Sequence, residues 1–336
     1  MTVLYRLKVW LRLFRAHTVI LEAPMAFLGA VIGLGAVVDP RVGMWLLFGI
    51  GYHLVGYGMN SYVDWKKGFD KEDDQKQHHP LNTGDIQPDQ AKKVIYGSTA
   101  ALFIYLFALT YTNLTAVGLS GLMVASGLAY NYLGKYTDLK AIPISIAHTL
   151  VFFIPYYLYA SELSAWVLAM AAAYFIHHIY QIAISGDIKD IQQDDASLLK
   201  SLGVHVKPHK HMPDVGVFVT SGKALILAYF LAILQLLLAT GSIVLNGLNP
   251  SSLVIGAGLA SLMLYYTDKM LQQGAFVRSK RLKYISSKEL FGYTLIHSAS
   301  IAVIGVQGFV LMLVSMLVYL GIVSKFIWGN WLVPEV

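Results

Sequence analysis

Two groups of acidic residues stand where long apolar segments of this chain end. The first is Asn60-Ser-Tyr-Val-Asp64-Trp-Lys-Lys-Gly68-Phe-Asp70, and the second is Asp187-Ile-Lys-Asp190-Ile-Gln-Gln-Asp194. The chain has only 19 acidic residues, and carboxylates at a membrane boundary cost free energy unless positive charge lies among them. Carboxylate and amide oxygens are ligands for hard divalent cations. We therefore expect a Mg²⁺ site, which Mn²⁺ can also occupy, and a phosphorylated substrate.

The spacing within each motif predicts its geometry. Asn60 and Asp64 are four residues apart and should share one face of a helix, which Gly68 should end, so that Asp70 returns from the following loop. The three aspartates of the second motif, at i, i+3 and i+7, should form one helical stripe. Two facing stripes would hold two Mg²⁺ ions and a diphosphate, whose charge the metals would neutralise as it leaves. The alternative is that both motifs are solvated acidic loops. We favour the metal site because two such motifs follow corresponding spans.

The composition predicts an all-α membrane protein. The chain is 56% hydrophobic and 13% charged, whereas a soluble domain carries roughly 25% charged residues. A membrane-spanning helix needs about 20 apolar residues. Nine segments meet this requirement, at about 19–38, 41–62, 94–112, 114–134, 141–160, 165–186, 215–240, 250–270 and 296–323.

The positive charges predict the topology. With a cytosolic N-terminus and nine spans, all of the 25 basic residues except Arg41 and Lys325 fall on the cytosolic side, as the positive-inside rule requires. Both acidic motifs then lie in the cytosol, under cytosolic loops that cap the active site. The net charge of +6 thus reflects membrane orientation and not nucleic-acid binding. The absence of cysteine excludes disulfides and thiolate chemistry. We expect one membrane-embedded domain, 1–336, with a short C-terminal tail, 324–336.

These motifs resemble those of the UbiA superfamily of intramembrane prenyltransferases. The first motif is most similar to the menaquinone-type branch, N-D-Y-x-D-Y-K-x-G-x-D, and the second is similar to D-I-x-D-I-x-x-D. Arg15-Ala-His-Thr18 resembles the R-P-x-T of the first helix, and His79-Pro80-Leu81-Asn-Thr-Gly84 resembles R-P-L-x-x-G. The chain departs from the family at Ser61, His79 and Leu198, where the family usually has Asp, Arg and Gly.

The resemblance implies nine helical spans, Mg²⁺, a polyprenyl diphosphate donor and a lipophilic acceptor. We also expect contact with membrane lipid and no nucleic-acid partner. The resemblance also implies roles for individual residues. Asp64, Asp190 and Lys135 would be the catalytic residues. The diphosphate would contact Asn60, Arg15, Tyr130, Lys135 and Lys200. The metal-site residues would be Asn60, Asp64, Asp190 and Asp194, with Asp70 and Asp187 in support.

Several alternatives remain open at the level of sequence. The acceptor we favour is an aromatic quinone precursor such as a dihydroxynaphthoate, and a glycerol-phosphate or other lipid is the alternative. A UbiA-type terpene cyclase needs no acceptor. A Mg²⁺- or phosphate-coupled transporter would place its charges near the bilayer midplane. The stretch Arg278–Lys283 could close over the diphosphate or bind anionic lipid, and the loop His205–His211 could bind a transition metal or be solvated.

Overall fold

The computed structural model describes residues 2–69, 78–192, 197–209, 212–329 and 331. The chain forms two compact units. The first unit comprises Met1–Tyr132, Leu150–Glu162 and Val310–Val336, and the second comprises Leu133–Thr149 and Leu163–Phe309.

Helices dominate both units, and they are numbered in chain order. They are α1 Val3–Leu13, α2 Ala23–Leu34, α3 Pro40–Lys67, α4 Pro88–Thr110, α5 Leu114–Leu133, α6 Ala141–Tyr159, α7 Ala165–Tyr180, α8 Asp187–Lys189, α9 Leu198–Ser201, α10 Gly222–Leu245, α11 Pro250–Leu271, α12 Arg278–His297 and α13 Ile301–Trp328.

Eight helical segments of the described residues are long and apolar enough to cross a membrane. They are Ala16–Leu34, Pro40–Lys67, Pro88–Thr110, Leu114–Leu133, Ala141–Tyr159, Ala165–Lys189, Gly222–Leu245 and Arg278–Trp328. The prediction of an all-α membrane protein is confirmed. The eighth of the nine predicted spans corresponds to α11, a 22-residue helix that is not among these segments. Its last two turns contain the polar and charged residues Thr267, Asp268 and Lys269.

Helix α3 shows how the sequence sets the ends of a span. The side chain of Asp39 accepts a hydrogen bond from the Arg41 amide at 2.8 Å and Pro40 occupies the first turn, where its missing N–H costs nothing. Hydrogen bonds from Arg41 lower the pKa of Asp39 to about 2, so this cap is ionised at neutral pH. Gly68 ends the helix with φ of 93°, a left-handed conformation that favours glycine. The predicted helix end at Gly68 is confirmed.

Close helix packing in the first unit depends on two glycines of α2 that are four residues apart. A Cβ atom on Gly29 would overlap the carbonyl oxygen of Phe152, and one on Gly33 would lie 2.7 Å from the carbonyl oxygen of Tyr156. Only a residue without a side chain allows the backbones of α2 and α6 to approach this closely. This is the packing expected of small residues in membrane helices, where dispersion contacts replace the hydrophobic effect.

Most of the segment between the eighth and ninth predicted spans is helical, although no predicted span covers it. Helix α12 runs from Arg278 to His297, and a short 3₁₀ turn leads into α13. Helix α12 starts with Arg-Ser-Lys-Arg-Leu-Lys, so its sequence lacks the apolar character of a span, although most of its second half is buried. Helix α13 contains a break at Gly305, whose φ is 71°, and continues past Ser324 to Trp328.

The second unit also contains a small antiparallel sheet that the sequence analysis did not predict. Strands β1 His205–His209, β2 Met212–Val219 and β3 Gly274–Phe276 pair in the order β1-β2-β3. The predicted span 215–240 therefore begins too early, since residues 215–219 belong to β2. This segment is rich in valine, which makes it apolar enough to resemble the start of a span, but β-branched residues also favour strands. The rings of Phe218 and Phe276 stack at 6.0 Å in a core that also contains Ile188 and Ile191 of the second acidic motif.

Candidate active site

The first acidic motif lies on the last turns of α3 in the first unit. Asn60 is half-buried, and Asp64, which follows on the same face, is 5% exposed. The prediction that these two side chains share a helix face is confirmed. The neighbouring residues Met59, Tyr62 and Val63 pack into a core with α1 and α4, which fixes the rotation of the helix about its axis. Asp70 lies outside the described residues.

Arg15 lies beside the same helix. Its backbone has φ of 47°, a conformation that is uncommon for any residue except glycine and that often occurs at functional positions. Its guanidinium carbon is 5.5 Å from the centroid of the Tyr57 ring, within the range of a cation–π contact. Tyr57 precedes Asn60 by three residues, so the first unit brings Arg15 to the face of α3 that carries the motif.

A buried polar network that the sequence analysis missed holds Arg15 in this conformation. His53 Nε2 lies 3.2 Å from the Arg15 carbonyl oxygen and 3.1 Å from Thr18 Oγ1. Its other ring nitrogen, Nδ1, contacts Glu22 Oε2. Both His53 and Glu22 are almost fully buried. Their spacing along the chain carries no recognisable motif, and their pairing arises only when α2 and α3 pack together.

The predicted tyrosine and lysine segment occupies the end of α5 and the turn after it. Tyr130 is half-buried near the C-terminal end of α5. Lys135 lies in the 3₁₀ turn Gly134–Tyr136, and its side chain lies outside what the structure describes. Next to Tyr130, the carbonyl oxygen of Tyr132 accepts a hydrogen bond from Lys67 Nζ at 2.5 Å, which ties α5 to α3 in the first unit.

The second acidic motif follows a π turn in the second unit. Helix α7 ends at Tyr180, the π turn covers Gln181–Gly186, and α8 covers only Asp187–Lys189. The predicted helical stripe is therefore wrong, because α-helical geometry ends before Asp190. Ile188 and Ile191 are both buried in the core of this unit, so the isoleucines of the motif anchor it. Asp194 lies outside the described residues.

Asp187 is bound to groups of the protein itself. Its side chain is fully buried, and Oδ1 lies 3.1 Å from Lys140 Nζ. Oδ2 accepts hydrogen bonds from Ser197 Oγ at 2.8 Å and from the Leu199 amide at 3.2 Å. These contacts pin the start of α9 to the second motif. Lys140 was not among the predicted site residues, since nothing in its local sequence distinguishes it from a lysine at the interface.

Asp190 is the more accessible aspartate of the motif and lies among cations. Arg278, the first residue of α12, places Nη2 3.2 Å from Asp190 Oδ1. Lys189 Nζ lies 3.6 Å from Oδ2. The side chain of Asp190 is 21% exposed and that of Arg278 is 17% exposed. The role of the stretch Arg278–Lys283 was left open by the sequence, and its first residue, Arg278, contacts the second motif.

Of the remaining basic residues singled out in the sequence of this unit, those that the structure describes lie on α9, α12 and β1. Lys200 is half-buried in α9, and its amide donates to Ser197 Oγ at 3.3 Å. Arg281 contacts the Met270 carbonyl oxygen and stacks 4.1 Å above the Phe218 ring, so it is structural. His205 lies in β1, while the side chain of His209 and the whole of His211 are outside the described part of the chain.

The donor chemistry of the described motif residues suits Mg²⁺. Asn60, Asp64 and Asp190 offer carboxylate and amide oxygens, the ligands that hard divalent ions prefer. Within the described ranges, no group of three or more His, Asp and Glu side chains converges on one point. Asp187 is occupied by Lys140, Ser197 and the Leu199 amide, and the other two acidic residues of the motifs, Asp70 and Asp194, are outside those ranges.

The sequence matches the UbiA prenyltransferase family over residues 23–295. Among solved structures, a UbiA homologue from Aeropyrum pernix K1 in its apo form matches with a TM-score of 0.60 at 17% identity, covering 85% of this chain and 97% of its own. A structure of digeranylgeranylglyceryl phosphate synthase matches with a TM-score of 0.58 at 19% identity, covering 89% of this chain and 98% of its own. A UbiA homologue from Archaeoglobus fulgidus bound to GPP and Mg²⁺ matches with a TM-score of 0.56 at 16% identity, covering 88% of this chain and 99% of its own.

The chain belongs to the UbiA prenyltransferase family, because the family match covers most of its length. It is therefore a multi-pass membrane prenyltransferase, as the paired acidic motifs predict. The identity to the solved structures is below 20%, so these structures establish the shared fold. No curated protein matches the sequence.

Proposed function

We propose that this protein transfers a prenyl group from a prenyl diphosphate to a lipophilic aromatic acceptor in a Mg²⁺-dependent reaction. The observation that carries the proposal is that each oxygen-rich motif has an arginine beside it. Arg15 lies along the α3 face of the first motif, and Arg278 lies 3.2 Å from Asp190 of the second. Carboxylates for metal ions together with guanidinium groups for phosphate oxygens are the combination that a metal–diphosphate ligand requires.

The metal-site residues in this proposal are Asn60, Asp64, Asp190 and Asp194, with Asp70 in support. When bound there, Mg²⁺ would stabilise the negative charge that develops on the departing diphosphate. Asp187 takes a supporting role, because Lys140, Ser197 and the Leu199 amide already occupy its oxygens. The solved homologue from Archaeoglobus fulgidus that contains GPP and Mg²⁺, like the one that contains DMAPP and Mg²⁺, is consistent with this assignment.

The protein's own residues bind and orient the donor. Arg15, Tyr130, Lys135 and Lys200 hold the diphosphate oxygens, and Lys135 shares the catalytic role with Asp64 and Asp190. The bond between C1 of the prenyl chain and the diphosphate oxygen breaks, and the electron pair leaves with the diphosphate. An electron-rich carbon of the acceptor attacks the allylic cation and then loses a proton. Placement of the motifs at the ends of apolar helices lets the prenyl tail remain in the bilayer.

For the acceptor, we propose an aromatic quinone precursor of the menaquinone type. The support is the first motif, Asn60-x-x-x-Asp64-x-x-x-Gly68-x-Asp70, which is most similar to that branch. An acidic aromatic acceptor also needs a cation, and Arg15 or Lys135 would supply it. A glycerol-phosphate acceptor is the second candidate, favoured by the similarity to digeranylgeranylglyceryl phosphate synthase. Both motifs and the N-terminus would face the cytosol, on the basis of the distribution of basic residues.

The test is an incubation of the purified protein with Mg²⁺, prenyl diphosphates of several lengths, and either a dihydroxynaphthoate, a hydroxybenzoate or a prenylated glycerol phosphate. Mass spectrometry identifies the product, and a parallel reaction contains excess chelator. We expect a prenylated aromatic product that requires Mg²⁺ or Mn²⁺. A product formed only with the glycerol phosphate would refute the aromatic acceptor and leave prenyl transfer intact. A cyclised hydrocarbon formed without acceptor would indicate a cyclase.

A further inference from the structure

An ion pair is buried in the helix bundle of the second unit, away from both acidic motifs in sequence. Lys288 and Glu289 are neighbours on α12, and their side chains are 0% and 9% exposed, with Nζ 3.4 Å from Oε1. The desolvation of two buried charges is costly, and their mutual attraction offsets this cost only in part unless further contacts satisfy them. Ionisable residues within membrane-spanning segments accordingly mark functional positions more often than structural ones.

The pair contacts three residues around the π turn. Glu289 Oε1 accepts a hydrogen bond from Ser185 Oγ at 2.5 Å, and Glu289 Oε2 lies 3.1 Å from His177 Nε2. Lys288 Nζ lies 3.4 Å from the centroid of the Tyr180 ring. Ser185 is within the π turn, Tyr180 is the last residue before it, and His177 is on the preceding turn of α7. The two charged side chains thus hold the π turn from both ends.

The π turn determines the direction of the second motif. A π turn contains one more residue than an α-helical turn, so it rotates every following side chain by about 100° relative to an uninterrupted helix. Asp187 follows the turn directly, and Asp190 is one short helix beyond it. If the turn relaxed to α-helix, both carboxylates would change direction. π turns are intrinsically unfavourable and are common at functional sites, so this one needs contacts that maintain it.

We propose that Lys288 and Glu289 are positioning residues, which maintain the π turn through Ser185 and Tyr180 and thereby aim Asp190 at its metal ion. The inference rests on the proposed function, in which Asp190 belongs to the metal site. Through these two residues α12 would have a role in the reaction beyond the contact of Arg278 with Asp190. This role would also explain why a buried ion pair is present where an apolar pair would pack at lower cost.

The test measures the dissociation constant of Mn²⁺ by electron paramagnetic resonance, with Mg²⁺ as competitor. Ser185→Ala removes the donor at small loss of volume, and Glu289→Gln removes the charge at constant shape. Substitution of residues that orient metal ligands typically weakens metal binding about 10- to 100-fold, and we expect about tenfold for each variant. Ser185→Thr, which keeps the hydroxyl, should retain near wild-type affinity. Thr294→Val is the matched control, since Thr294 is buried on the same helix but donates to the Leu290 carbonyl oxygen of its own turn.

The outcomes separate this inference from the proposed function. If Asp190→Asn abolishes Mn²⁺ binding while Ser185→Ala and Glu289→Gln remain within about twofold of wild type, the positioning role is refuted and the metal site stands. If Thr294→Val weakens binding as much as Ser185→Ala, the effect is a general loss of bundle stability, and the positioning role is again refuted. If Asp190→Asn binds Mn²⁺ as tightly as wild type, the proposed metal site fails, and this inference fails with it.

Discussion

Arg278 and Asp190 are 88 residues apart in sequence, yet the guanidinium Nη2 lies 3.2 Å from the aspartate Oδ1. Arg278 Nε also donates to the Lys189 carbonyl oxygen at 3.2 Å. The arginine therefore contacts both the side chain and the backbone of the second motif, which joins the start of α12 to it. Planar guanidinium groups bind phosphate oxygens as readily as carboxylates, so under the proposed function Arg278 would also contact the diphosphate.

Replacement of Arg278 by Ala should raise KM for the prenyl diphosphate by about tenfold or more. A hydrogen bond to a charged group contributes about 1.5–3 kcal/mol, and each 1.4 kcal/mol corresponds to about a tenfold change in affinity. Initial rates at several concentrations of prenyl diphosphate measure this. Lys280→Ala is the matched control, because Lys280 is an exposed basic residue on the first turn of the same helix. Equal KM values for the two variants would assign the effect to net charge and remove Arg278 from the site.

Replacement of Asp64 or Asp190 by Asn should reduce kcat/KM by about 100-fold or more, the scale expected for loss of one key electrostatic stabiliser. The substitution keeps the side chain's size and removes only its charge. Each variant should elute from size-exclusion chromatography as wild type does. Near wild-type turnover in a correctly folded variant of either residue would contradict the metal-site assignment.

Asp187 should behave differently from Asp190. Removal of one partner of a buried ion pair costs about 3–5 kcal/mol of stability, and Asp187 is fully buried against Lys140. We therefore expect Asp187→Ala and Lys140→Met to lower the thermal stability of the purified protein much more than Asp190→Asn does. A thermal melt followed by size-exclusion chromatography makes the comparison. Similar melting temperatures for Asp187→Ala and Asp190→Asn would show that the two aspartates have equivalent roles.

Local patterns in the sequence predicted the helices and the first motif well. Apolar length identified the spans, and the four-residue spacing of Asn60 and Asp64 placed them on one face, as α3 shows. Gly68 was predicted to end this helix because glycine readily adopts the left-handed conformation found there. These features depend on neighbouring residues in the chain, which is why a single sequence contains them.

The features that escaped prediction depend on contacts between distant residues. The sequence placed Asp187 in a helical stripe of metal ligands. Its partner Lys140 is 47 positions away and belongs to no recognisable motif, so their ion pair could not be predicted. The π turn could not be foreseen, since Gln181–Gly186 has the same apolar character as the helix before it. Likewise, the sequence of α12 resembles a charged loop because the partners of its buried residues are distant in the chain. Lys288 and Glu289, for example, contact residues of α7 and the π turn.

The contact between α2 and α6 gives a stability prediction that is independent of the active site. Gly29→Ala should destabilise the protein by about 1–3 kcal/mol, the usual cost of overpacking, because the new methyl group would meet the backbone of Phe152, which cannot move aside as a side chain could. Gly33→Ala should act in the same direction through Tyr156. Gly121→Ala in α5 is the matched control, since a Cβ atom there has no neighbour within 4 Å. We expect thermal melts to show a marked loss for the two α2 variants and little change, or a slight gain from the better helix propensity of alanine, for Gly121→Ala. Equal melting temperatures for Gly29→Ala and Gly121→Ala would show that α2 and α6 do not pack as closely as described.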